Sequence, residues 1–150
     1  MKIFLSLMLI VITIVSTAAT PISAANSADI QSVAMMPRFN NGDACNLSFG
    51  INNTGLAHIR VAYYGISDVT TRVIVTMSIE MKVASNAWER VDIGTLTNSW
   101  TDSSTELSGV FSHTFPLEST GTYRGVFVIR MFGTGGTMDK IEKTIEKTYS

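Results

Sequence analysis

The sequence predicts an all-β fold: a single antiparallel β-sandwich, immunoglobulin-like in general architecture, with about seven strands behind a cleaved signal peptide. Three observations carry that expectation. Apolar residues alternate with polar ones over several runs, most clearly at Val73, Val75, Met77, Ile79, Met81 and Val83. Side chains at every second position share one face of a strand, whereas a helix would scatter them around its circumference. Clusters of Gly, Asn, Asp, Ser and Thr punctuate these runs as turns do, and no convincing long helix interrupts them.

The chain opens with Lys2 and an uncharged apolar run from Ile3 to Val15, the length of a secretory core and too short to span a bilayer comfortably. Small residues and Pro21 follow, which places the cut after Ala24 or Ala25. The alternative is an uncleaved N-terminal anchor. Residues 1–24 are therefore assigned to the signal peptide, 25–41 to an N-terminal arm or an edge strand halted by Pro37, and 42–150 to the sandwich.

Within the sandwich, the alternation of Cys45, Leu47, Phe49 and Ile51 marks a half-buried strand, and Asn52 to Gly55 turn it into a second run from Leu56 to Tyr64. Arg72 to Val83 and Ala87 to Ile93 form the next hairpin about Ser85 and Asn86, with Trp88 expected in the core. The polar stretch around Trp100 reads as a long connection between sheets. Gly109 to Leu117 resumes strand character. Gly121 to Phe132 is apolar on both sides, as a central strand should be. Glycines 133, 135 and 136 supply a hairpin turn, after which 138–150 is assigned to a strand in preference to a helix. Ser119 to Tyr123 has the pattern of a tyrosine corner, in which a hydroxyl ties a strand to the loop before it. An open barrel is the alternative architecture.

Cleavage removes Lys2, one of the 11 basic residues, so the mature chain sets ten against 12 acidic residues. That balance gives no electrostatic basis for nucleic acid as a partner, and the mature region contains no membrane span. Cys45 is the single cysteine, so no internal disulfide can form, and its place in the alternation makes it a buried small apolar residue.

Tyr64-Gly65, Trp88 followed by Val91, Gly121-Thr122-Tyr123-Arg124, and Gly133-Thr134-Gly135-Gly136 followed by Asp139 together carry a resemblance. The chain resembles small secreted β-sandwich proteins of Gram-positive, mostly clostridial, bacteria that have no assigned activity. The resemblance implies a secreted sandwich and supplies no catalytic residues.

The chemistry of the side chains points the same way. A nucleophile needs a base within hydrogen-bond reach, and the histidines are His58, on a polar strand face, and His113, at the edge of the core. Three Cys and His side chains in the whole chain are too few for a structural zinc site. Calcium asks for oxygen alone, which Asp102, Ser103, Ser104 and Glu106, or Gly135, Gly136 and Asp139, could offer; neither set matches an EF-hand. The glycine run lacks the Lys-Ser/Thr ending of a phosphate loop. Paired carboxylates such as Glu89 with Asp92 would need a sugar-sized cleft. No catalytic, metal or cofactor-binding residue is assigned and no cofactor is implied. Trp100 and Tyr64 are the candidate ligand-binding aromatics, since rings of this kind can stack on a sugar. The expected role is non-catalytic: binding an extracellular protein or glycan, either free in the surroundings or in association with the cell wall. A secreted toxin or bacteriocin-like factor and a small extracellular hydrolase are the alternatives.

Overall fold

The structure, a computed structural model, describes residues 32–34 and 39–150. The leader assigned to 1–24, and the arm apart from 32–34 and 39–41, lie outside the described residues. Nine strands occur among the described residues: β1 (Ser32–Ala34), β2 (Gly42–Ile51), β3 (Leu56–Gly65), β4 (Thr70–Ala84), β5 (Ala87–Arg90), β6 (Trp100–Ser104), β7 (Ser108–Pro116), β8 (Gly121–Gly133) and β9 (Asp139–Tyr149). The first sheet runs β1-β2-β3-β7. The second runs β4-β8-β9, with the other edge of β4 shared by β5 and β6. All pairings are antiparallel, and the two sheets pack face to face as a β-sandwich. Among the described residues no helix is long and apolar enough to cross a membrane.

Alternation builds the core as expected. Cys45, Leu47 and Phe49 of β2, Ile59, Val61 and Tyr63 of β3, and Val73, Val75, Met77 and Ile79 of β4 are buried between the sheets. Beside those of β4, and facing those of β2 and β3, are Tyr123, Phe127, Ile129 and Met131 of β8. β8 lies between β4 and β9, so Val126, Val128 and Phe132 on its outer face are half-buried, which accounts for the apolar residues on both sides. Opposite Phe49, β8 carries Gly125, where a Cβ would fall 2.8 Å from the ring; only glycine lets the phenyl lie against the strand. The tail is strand β9, with Ile141 and Ile145 buried. The tyrosine corner is formed: the Tyr123 hydroxyl donates to the carbonyl of Ser119 at 2.6 Å. Cys45 is fully buried, and desolvation pushes its thiol up to about 12.

Residues 32–34 pair with β2 as an edge strand, one of the two forms expected for the arm. Two elements differ from expectation. The connection around Trp100 contains β6, paired with Val73–Met77 of β4. Its inward positions are Trp100, Asp102 and Ser104, so backbone pairing occurs without an apolar period of two. Trp88 is not in the core. It stands opposite Lys82 on the polar face of β4, half-buried beneath the Arg124 guanidinium, which lies 4.3 Å from the ring centroid.

Candidate functional site

The sheets join differently along their two sides. On one side β9 packs beside β2. On the other, β5 and β6 at the edge of the second sheet stand across from β7 at the edge of the first; the chain crosses the seam at 105–107, and beyond that link side chains bridge it. Alternation turns Trp100 and Asp102 of β6 toward Phe111, His113 and Phe115 of β7. The His113 Nε2 and Asp102 Oδ2 lie 2.7 Å apart, and the indole of Trp100 covers the imidazole at 4.9 Å with the planes 5° from parallel. Phe115 meets the same indole edge-on at 6.5 Å. A carboxylate bonded to one ring nitrogen fixes the imidazole's orientation, as it does in a general base and its partner. Among the described residues Asp102 is the one side chain hydrogen-bonded to His113, so the pair acts as a strut between the sheets.

Beyond Phe115 the seam opens into a cleft of about 410 Å³. It exists because both borders leave their sheets early. The chain departs β5 after the Val91 amide bonds the Ile79 carbonyl at 2.9 Å, and β7 ends as Leu117 bonds Gly55 at 2.9 Å. The inward face of β4 therefore outruns its cover: Met81 is half-buried and Val83 exposed. Met81, Val91, Phe115, Leu117 and Tyr123 make the wall apolar. Exposed carboxylates of Glu89, Asp92 and Glu118 line the mouth with Arg90, whose guanidinium reaches 4.0 Å from Glu80 on the outer face.

Of the two aromatics chosen from the sequence, Trp100 belongs to this seam, half-buried on a strand rather than displayed in a loop. Tyr64 lies elsewhere. It is 46% exposed on the outer face of the first sheet, while its neighbour Tyr63 points inward and stacks on Phe111. With Trp88 on the outer face of the second sheet, the three rings occupy three separate surfaces and form no common platform. His58 is exposed on the polar face of β3, as expected. The sequence offers Asp102 only as an oxygen donor for calcium and does not single out Val91, Leu117 or Glu118; the strand endings that gather them leave no motif in the sequence.

The glycine run is a hairpin turn between β8 and β9, and it is tied down. Asp139, 6% exposed, accepts from the backbone amides of Asn40 at 3.0 Å and Asn41 at 2.5 Å, one to each carboxylate oxygen. Asn41 in turn accepts at Oδ1 from the Gly135 amide at 3.1 Å and donates to the Thr137 carbonyl at 2.7 Å. A Cβ on Gly135 would collide with the Asn40 carbonyl, so glycine is required for this close approach. Asp139 is thus occupied by the chain itself, and Asp102 faces His113 rather than Glu106. Among the described residues no three His, Cys, Asp or Glu side chains converge as a metal site would need. Comparison with known protein families, curated proteins and solved structures finds no match.

Proposed function

We propose that the protein is exported and acts without catalysis, binding a protein or glycan at the cell envelope or in the extracellular surroundings through the open seam. The observation that carries this reading is the cleft itself. A concavity of about 410 Å³ with an apolar wall and a few placed polar groups has the make-up of a ligand site, and Phe115 joins it to the Trp100–His113–Asp102 stack. Export is supported by Lys2, the apolar run to Val15 and the small residues up to Ala25. The test is to incubate the protein with purified cell wall, polysaccharides and mucus and to identify what co-sediments. Retention by one of these, lowered about tenfold in Phe115→Ala with thermal unfolding still cooperative, is the expected result. Retention by none, or equal retention of the variant, counts against the reading.

The His113–Asp102 pair favours a second reading, a small extracellular hydrolase with His113 as base. Activity on a broad substrate panel that disappears in His113→Ala would establish it.

A further inference from the structure

An edge strand offers unpaired N–H and C=O groups to any passing strand, and proteins blunt such edges by shortness, charge, proline or bulges. The edges of this sandwich are blunted unequally. β1, β5 and β6 span three, four and five residues. β9 spans 11 but carries Lys140, Glu142, Lys143, Glu146 and Lys147. Among the described residues β7 alone has neither protection: it runs nine residues without a Lys, Arg, Asp or Glu, in unbroken register with β3, and its proline comes at the last position.

The open groups on β7 can be named. The Gly65 amide bonds the Leu107 carbonyl at 2.7 Å and the Leu117 amide bonds Gly55, so in this antiparallel pair the odd-numbered residues turn their backbone groups to β3. The amides and carbonyls of Ser108, Val110, Ser112 and Thr114 therefore face away from the sheet. The same strand leads to the cleft, where Phe115 and Leu117 form the wall and Glu118 joins Glu89 and Asp92 at the mouth.

We infer that β7 accepts an extended peptide segment of a partner as an added strand, and that the segment delivers a basic side chain into the seam cleft. This rests on the binding role proposed above and names its ligand. Backbone bonding along β7 supplies a sequence-tolerant part of the affinity, as in other cases of strand addition. The carboxylates at the cleft mouth select Lys or Arg, whose methylene stem suits the apolar wall. The charges also weigh against a second copy of this chain. Pairing two β7 strands antiparallel about Ser112 would set Glu118 of each against Glu106 of the other, like against like.

The test titrates isotopically labelled protein with a peptide alternating Lys and Val, and with counterparts in which Glu or Ser replaces Lys. The Lys peptide should shift the amide resonances of Val110, Ser112, Thr114 and Leu117. Ser112→Pro removes one outward amide without removing a bond to β3, and should weaken binding about tenfold. Glu118→Gln should weaken it about threefold. Should Ser112→Pro unfold, a Val110→Lys/Thr114→Lys chain, whose charges repel the peptide, supplies the same comparison. Equal binding of all three peptides, unmoved β7 amides, or self-association through β7 overturns the inference. If envelope material still occupies the cleft while no peptide moves β7, the inference fails and the binding role stands; if nothing touches the cleft, both fail.

Discussion

The two ends of the sandwich are finished by opposite means. Where β2 begins and β8 stops, Asn41, Thr70, Gly135 and Asp139 satisfy one another: the buried carboxylate holds two amides, Asn41 holds a third, and the Thr70 hydroxyl donates to the Asn41 carbonyl. Where β5 and β7 stop, the chain instead leaves an apolar wall and exposed carboxylates around open space. Polar groups already bonded within the chain have little left for a ligand, and desolvating them again would be costly. The open end keeps solvent-facing carboxylates beside an apolar wall, so the buried polar lock lies at one end of this small domain and the proposed binding at the other.

Substitutions can break this contrast, and their expected effects fall in order. Asp139→Ala strands the buried Asn41 amide and the partly buried Asn40 amide and should cost about 3 kcal/mol in denaturant unfolding. Next comes Cys45, in β2 just beyond the tied corner. Its folded-state value of about 12 lies above the ordinary thiol value of 9.0, so between these values the unfolded chain binds fewer protons than the folded one. Stability should be intact below pH 9 and fall by up to about 1.4 kcal/mol per pH unit above it. A Cys45→Ala chain should lack that slope, and thiol reagents should label native Cys45 slowly at neutral pH.

Tyr123→Phe removes the bond to Ser119 at the open end and should cost about 1 kcal/mol, read by thermal or urea unfolding. Glu118→Gln should change stability by less than about 0.5 kcal/mol while weakening the basic peptide. A large stability loss from Glu118→Gln, or none from Asp139→Ala, would remove the distinction between the ends.

How much of this was legible depends on what each feature writes into the chain. The core strands announce themselves because burial on one face forces an apolar period of two, and Tyr123 after Ser119 foretold its corner. β6 stayed hidden because backbone pairing makes no demand on side-chain polarity, and its inward face holds Asp102 and Ser104. Trp88 misled because a large aromatic suggests burial between sheets, whereas Arg124 and Lys82 cover it on an outer face. Trp100 stands out in its polar stretch, but its stacking on His113 joins two strands in different sheets and has no signature in the sequence. The cleft was invisible for a further reason: it arises where two distant strands happen to end.

Native-state hydrogen exchange is the most direct test that one end is locked and the β7 edge is open. The account predicts that the amides of Asn41 and Gly135 exchange only through global unfolding, while those of Ser112 and Thr114 exchange at close to the rate of a free chain. Strong protection of Ser112 and Thr114, with rapid exchange at Asn41 and Gly135, would contradict it.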